Sequence, residues 1–119
     1  MARVTGIGGA FLRANDPEAL YAWYEKHLGL ARLHGSWMFD AEDQRGPVVV
    51  SFFKRESDYF PVSQPAMLNF QVDDVDAILD ALTAAGVEVD AKRERHEYGS
   101  FGWFIDPEGN RVELWQPAR

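Results

Sequence analysis

The chain has 119 residues, 46% of them hydrophobic and 26% charged, a balance typical of one compact globular domain. Its 12 basic and 19 acidic residues give a net charge of −7, which argues against a nucleic-acid-binding surface and against an anionic membrane as partner. Because the sequence contains no cysteine, disulfides, thiolate metal sites and a cysteine nucleophile are excluded.

Hydrophobic runs are short throughout the sequence. None approaches the roughly 20 residues that a membrane-spanning helix requires. The N-terminal residues do not resemble a signal peptide. We therefore expect no membrane partner and a cytoplasmic location.

The first half predicts a strand, a helix and two further strands. Residues 5–13 carry apolar side chains among glycines, which favours a strand. Asn15 or Asp16 then caps a helix with Pro17 at its first position, and Gly29 ends that helix. The strands predicted after it are residues 30–39 and 47–53.

The second half repeats this order. Residues 67–72 alternate in polarity as a strand does, and Asp73 or Asp74 caps a helix that ends at Gly86. The step from Asp73 to Gly86 is as long as the step from the capping aspartate to the terminating glycine in the first half. The strands predicted after this helix are residues 87–95, 100–105 and 111–116.

This repetition indicates an α+β fold of two tandem β-α-β-β-β modules within one domain, residues 1–119. Module one covers about residues 1–56 and module two about residues 66–119. Between them, residues 57–65 form a connector that contains two prolines.

The end of the sequence predicts a β-hairpin. Residues 106–110, Asp-Pro-Glu-Gly-Asn, have the composition of a turn. A loop of these five residues places Trp103 opposite Glu113 and Ile105 opposite Arg111. One face of the hairpin then mixes aromatic side chains with a carboxylate and a guanidinium, as the wall of a ligand pocket does. The other face is purely apolar and consists of Phe104, Val112 and Leu114.

A duplicated β-α-β-β-β module that ends in Asp-Pro-Glu-Gly-Asn-Arg-Val-Glu-Leu resembles the vicinal oxygen chelate superfamily. That superfamily includes glyoxalase I, bleomycin-resistance proteins, fosfomycin-resistance enzymes and extradiol dioxygenases. The resemblance covers residues 7–115 and includes the motifs Asp16-Pro17, Trp23-Tyr24 and Leu28-Gly29-Leu30. It implies that the modules curl their sheets into a cup, with the helices outside and the ligand in the concavity. It also implies a homodimer, because a partner chain commonly completes the cup.

The resemblance further implies four positions for metal ligands, which metal-dependent members fill with His, Gln or Glu. They correspond here to Gly9, Met67, the segment 47–53 and Glu113. Glycine has no donor atom, a thioether is a poor ligand for Mg²⁺, Mn²⁺ or Fe²⁺, and the only polar residue in 47–53 is Ser51. One carboxylate does not hold a divalent ion tightly, so we expect no metal and no cofactor.

Two histidines leave an alternative open. If His34 and His96 both point into the cup, they and Glu113 would form a His₂-carboxylate site suited to non-haem iron, a divalent-metal cofactor. The simpler interpretation places both histidines on surface strands or loops. Without a metal, burial beside tryptophans would raise the pKa of Glu113 and suit it to act as a general base. The alternative function is therefore an enzyme, a glyoxalase-like lyase or dioxygenase, with Glu113 as its catalytic residue.

The preferred function is metal-free binding of a small aromatic or amphipathic molecule in an acidic, aromatic-lined cup, as in bleomycin-resistance proteins. A cationic or hydrogen-bond-donating ligand would suit Glu113 and the net negative charge. The predicted ligand-binding residues are Ser51, Met67, Asn69, Gln71, Phe101, Trp103, Arg111, Glu113 and Trp115.

Overall fold

The computed structural model describes residues 2–118, so Met1 and Arg119, the ends of the predicted domain, lie outside the described residues. The fold is mixed α+β, as predicted, with an open, curved sheet of four strands. Strand β1 lies at one edge, parallel to β4, and the strand order is β1-β4-β3-β2 with the other pairs antiparallel. The elements are helix α1 (Pro17–Leu28), strand β1 (Asn69–Gln71), helix α2 (Val75–Ala84) and strands β2 (Glu94–His96), β3 (Gly99–Ile105) and β4 (Arg111–Pro117).

Both helices begin at the predicted caps. The Asp16 side chain accepts a hydrogen bond from the Ala19 N–H, and helix α1 ends at Gly29, whose φ of 69° lies in the left-handed region that favours glycine. Asp74 accepts from the Ala77 N–H in the same way at the start of α2. Neither helix within residues 2–118 is long and apolar enough to cross a membrane.

The core lies between the two helices and one face of the sheet. Its sheet side consists of the apolar hairpin residues Phe104, Val112 and Leu114, all fully buried. Helix α2 packs so closely on β3 that a Cβ atom at Gly102 would lie 2.2 Å from a methyl carbon of Leu79. The helices therefore cover one face, and the mixed aromatic and polar face lies on the opposite side. The helical core residues are Tyr24, Val75, Leu79 and Leu82.

The first half differs from its prediction. Within residues 2–68 the structure has helix α1, a short 3-10 helix (Ala41–Asp43) and one isolated bridge between Leu33 and Ser36, but no strand, so the predicted strands 5–13, 30–39 and 47–53 are not formed within the chain. The reason is physical: a strand requires a hydrogen-bonding neighbour, and within residues 2–118 the backbone of 5–13 and 47–53 has none. Most of their apolar side chains are largely exposed, and Phe11 and Phe52 are each 99% exposed. Only module two is assembled as β-α-β-β-β.

Candidate functional site

The last hairpin has the predicted register. Trp103 pairs with Glu113 and Ile105 with Arg111 across β3 and β4. The Asp106 N–H donates to the Asn110 carbonyl at 2.9 Å and closes the turn between the two strands. The alternation of side chains therefore places Trp103 and Glu113 on the face that no helix covers.

Glu113 is the centre of this face. Its side chain is 8% exposed, and both carboxylate oxygens accept hydrogen bonds. The Trp103 indole Nε1 donates to Oε1 at 3.1 Å, and the Asn69 amide donates to Oε2 at 2.5 Å from the paired position on β1. The Tyr59 hydroxyl also donates to Oε1. Three donors thus compensate the burial of one carboxylate.

Tyr59 was not predicted as a site residue. It comes from the connector, stacks on Phe53 with ring centroids 5.1 Å apart, and meets the Trp103 ring edge-on at 5.9 Å. Burial, followed by the contact with Glu113, raises the pKa of Tyr59, so its hydroxyl stays protonated and donates. No local pattern marks this residue, because 54 positions separate it from the carboxylate that it contacts.

Arg111 forms an ion pair with Asp90, 21 residues earlier in the chain. Its guanidinium carbon lies 5.2 Å from the centre of the Trp103 ring, and Nη2 donates to Asp90 at 3.0 Å. The Lys92 N–H, followed by Arg111, holds the pKa of Asp90 below its usual range. Arg111 Nε donates to the Tyr59 carbonyl and so holds the connector against the sheet.

Aromatic rings extend the site along the hairpin. The rings of Phe101 and Trp115, paired across β3 and β4, are parallel within 2° at a centroid distance of 6.1 Å. The Trp115 indole donates to the Tyr98 carbonyl at 3.1 Å. The half-buried ring faces of Phe101 and Trp115 therefore continue the wall that Trp103 begins.

The structure brings together most, but not all, of the predicted residues. Asn69, Trp103 and Glu113 are in direct contact. The Gln71 amide instead exchanges two hydrogen bonds with the backbone of Arg45, at 2.7 and 2.9 Å. Ser51 is exposed within the unpaired segment 47–53 and is not part of the assembled site. The other predicted residues are half-buried. Met67 lies just before β1, and the hairpin carries Phe101, Arg111 and Trp115.

The donor set does not fit a divalent metal ion. No group of three or more His, Asp or Glu side chains in residues 2–118 is arranged to hold one. His34 lies in a left-handed turn with φ 55°, and His96 contacts Glu94 at 2.9 Å and stacks on Tyr98, so the His34–His96–Glu113 set is not assembled. Glu113 itself already accepts three hydrogen bonds from neutral donors.

Comparisons with known proteins agree with this fold. TnmS3, an antibiotic binding protein from Streptomyces sp. CB03234, is 27% identical, with 88% of this chain and 89% of that chain covered and a TM-score of 0.55. Lactoylglutathione lyase from Agrobacterium tumefaciens is 21% identical, with 97% and 96% covered and a TM-score of 0.58. The oxidase ChaP-H2 is 20% identical, with 88% of each chain covered and a TM-score of 0.54. The latter two likenesses show the fold alone.

Sequence comparisons give the family. No curated protein sequence matches the chain. Residues 6–114, which make up most of the chain, match the family model described as the Glyoxalase/Bleomycin resistance protein/Dioxygenase superfamily. The protein therefore belongs to the glyoxalase/bleomycin-resistance/dioxygenase superfamily.

Proposed function

We propose that this protein binds a small aromatic or amphipathic molecule, without a metal, in the cup formed by the face of the sheet that carries Glu113. One observation carries the proposal: a buried carboxylate held by neutral hydrogen-bond donors and surrounded by aromatic rings. Such an arrangement favours recognition by shape and by one polar contact, which is how small-molecule pockets usually fix a ligand.

Glu113 retains capacity to accept a hydrogen bond from a ligand. An ionised carboxylate offers about four acceptor positions, and the described contacts use three of them. The Asn69 side of the carboxylate is the open side, because Asn69 is exposed whereas Trp103 is buried. A ligand with a donor group and an aromatic body would match the carboxylate and the Phe101–Trp115 rings together.

The likeness to TnmS3 supports a binding function. That protein is described as an antibiotic binding protein, and it shares 27% identity over most of both chains. A small organic molecule is therefore the proposed partner of this chain as well. The cytoplasmic location stays a prediction of the sequence.

Catalysis is the second candidate. A general base must reach the proton that it removes through a free acceptor position. In this chain Tyr59 and Trp103 both donate to Oε1 and Asn69 donates to Oε2, which leaves a base about one free acceptor position, the same one that a ligand donor would use. We rank binding above enzymatic activity, whether Glu113 acts as a base or joins a rebuilt metal site, because the likeness to TnmS3, an antibiotic binding protein, supports binding.

We also propose that the protein is a homodimer and that the second copy completes the cup. The chain exposes 9093 Å², whereas a compact monomer of its mass exposes about 6,500 Å². Its radius of gyration of 14.9 Å likewise exceeds the value of about 13.5 Å expected for its length. Obligate homodimers bury about 2,000 to 5,000 Å² between their two chains, so the excess area is sufficient for one.

The unpaired segments 5–13 and 47–53 are the proposed dimer contacts. They carry strand-like sequences and exposed apolar side chains, and β1 has a free edge because it is the outermost strand of the sheet. In such a dimer, module one of one copy (about residues 1–56) would face module two of the other (about residues 66–119). Ser51 and Gly9 would then join the cup of the partner.

The experiment that tests the function is ligand binding by chelator-treated protein. Calorimetric titration would use 2-naphthol, 2-naphthylmethylamine and 2-naphthoate, which place a neutral donor, a cation and an anion on one ring system. We expect binding of the neutral or cationic probe, exclusion of the anion, and no change when EDTA is replaced by Mn²⁺ or Zn²⁺. Binding that appears only with added metal would overturn the proposal.

A further inference from the structure

We propose that the ligand of this cup carries an aromatic hydroxyl group that takes the place of the Tyr59 hydroxyl on Glu113. The inference rests on the proposed binding function and names the chemical class of its ligand. In the ligand-free chain, Tyr59 would then act as an internal competitor for the site.

The contacts of Tyr59 define what this position accepts. The Tyr59 ring stacks on Phe53 and lies perpendicular to the Trp103 ring. The Tyr59 hydroxyl donates to Glu113 Oε1. A phenol on a planar ring therefore already fits the space, the aromatic contacts and the acceptor. A second phenol that enters from solvent would find the same three complementary features once the side chain of Tyr59 leaves.

The charge around this position favours a neutral donor over a cation. Arg111 places its guanidinium 5.2 Å from the centre of the Trp103 ring and donates to the Tyr59 carbonyl. The ion pair with Asp90, at 3.0 Å, offsets only part of this positive charge, so a ligand cation beside the same ring would gain less from Glu113 than it would without Arg111. A hydroxyl gains the charge-assisted hydrogen bond without that repulsion.

Tyr59 can leave the position without loss of its backbone contacts. The Arg111 bond reaches its carbonyl oxygen, and its N–H donates to Ser57 Oγ at 3.2 Å. Among the described contacts, the side chain is held by one hydrogen bond and by ring packing. Rotation of the side chain thus exposes Oε1 while the connector stays attached to the sheet.

The test compares 2-naphthol with 2-methoxynaphthalene, whose oxygen cannot donate, in wild-type protein and in Tyr59→Phe. The phenylalanine keeps the ring but cannot compete for Glu113. We expect about five- to tenfold tighter binding of 2-naphthol by Tyr59→Phe, because an internal competitor lowers the apparent affinity of the wild type. 2-Methoxynaphthalene fits the same space without a hydrogen bond to Glu113, so it should bind wild type and Tyr59→Phe about tenfold more weakly than 2-naphthol does. Tyr21→Phe, the same change at a half-buried ring of helix α1 that packs on Trp37, is the matched control and should alter neither affinity.

A second measurement needs no variant. In protein with ¹³C-labelled tyrosine rings, 2-naphthol should shift the Tyr59 ring signal and leave that of Tyr21 in place. Unchanged or weaker 2-naphthol binding by Tyr59→Phe, an unmoved Tyr59 signal at saturation, or a preference for 2-naphthylmethylamine would each overturn the inference while binding itself stands. If none of the probes binds wild type or variant, the proposed binding function fails together with the inference.

Discussion

Tyr24 in helix α1 donates a hydrogen bond of 2.9 Å to the carboxylate of Asp106, 82 residues later in the turn between β3 and β4. The same turn makes a second contact with α1, since the Glu108 carboxylate accepts from the N–H groups of Asn15 and Asp16 at 2.9 and 3.0 Å. A carboxylate at a helix N-terminus satisfies unpaired N–H groups and complements the helix dipole. The turn motif therefore holds the helix of the first half onto the sheet of the second.

Replacement of Tyr24 by phenylalanine should destabilise the protein. Asp106 is 5% exposed. In the variant this buried carboxylate would keep its hydrogen bonds from the backbone N–H groups of Glu108 and Asn110 and from the Asn110 side-chain amide, but it would lose the bond from the Tyr24 hydroxyl. We expect the free energy of unfolding to fall by about 1 to 3 kcal/mol, the usual cost of losing a hydrogen bond to a charged group. Urea unfolding followed by circular dichroism measures it, with Tyr21→Phe as the control. A loss no larger than that of the control would show that the bond contributes nothing.

The hairpin was predictable because its information is local. The turn composition of residues 106–110 fixes the loop, and the alternation of side chains then fixes Trp103 opposite Glu113. The helix caps Asp16 and Asp74 were found for the same reason. In each case the residues that form the feature are neighbours in the sequence.

The contacts that complete the site could not be predicted in this way. Tyr59 meets Glu113 across 54 residues, and Tyr24 meets Asp106 across 82. Each depends on where a connector or helix is placed by packing in three dimensions, which periodicity does not encode. The segment 47–53 shows the opposite case: its sequence favours a strand, but a strand also requires a hydrogen-bonding neighbour, and the described part of the chain, residues 2–118, supplies none.

Glu113→Gln should weaken both folding and binding. A glutamine amide presents one oxygen and one NH₂ group, so at least one of the donors from Tyr59, Asn69 and Trp103 would face another donor. We expect a loss of about 1 to 3 kcal/mol in the free energy of unfolding. The affinity for a hydrogen-bond-donating aromatic probe should fall at least about tenfold, because one hydrogen bond to a charged group contributes about 1.5 to 3 kcal/mol and about 1.4 kcal/mol corresponds to a factor of ten.

The matched control for that variant is Glu97→Gln, at an exposed position on the loop before β3. Calorimetric titration and urea unfolding of both variants separate the local effect from the change in net charge. If Glu113→Gln binds the probe as tightly as Glu97→Gln, Glu113 is not the acceptor for the ligand.

Stability should decline at alkaline pH through two tyrosines. Burial, followed by the nearby Asp106, raises the pKa of Tyr24, and burial followed by Glu113 raises that of Tyr59. In the unfolded chain both have the usual pKa of about 10. A raised pKa in the folded state means that the protonated phenols stabilise the fold fully below pH 10, and that this stabilisation is lost as the pH rises above 10.

Unfolding in urea at pH 8, 10 and 11 tests this dependence. The difference in free energy of unfolding between wild type and Tyr24→Phe should shrink as the pH rises from 10 to 11, since phenylalanine has no proton to lose. Tyr59→Phe should behave in the same direction. A difference that is constant across this range would contradict the raised pKa values.

The homodimer proposal can be tested at residues whose side chains are fully exposed in a single chain. Phe11 and Phe52 are each 99% exposed, so replacement by aspartate in a monomer should change the free energy of unfolding by less than about 0.5 kcal/mol. If a second copy covers segments 5–13 and 47–53, a buried charge at either position would instead prevent association. We expect wild type to sediment as a dimer, and both Phe11→Asp and Phe52→Asp to sediment as monomers with lower thermal stability. Val62→Asp, an exposed apolar position in the connector, is the control and should remain dimeric. Sedimentation of the wild type as a folded monomer at micromolar concentration would refute the shared cup.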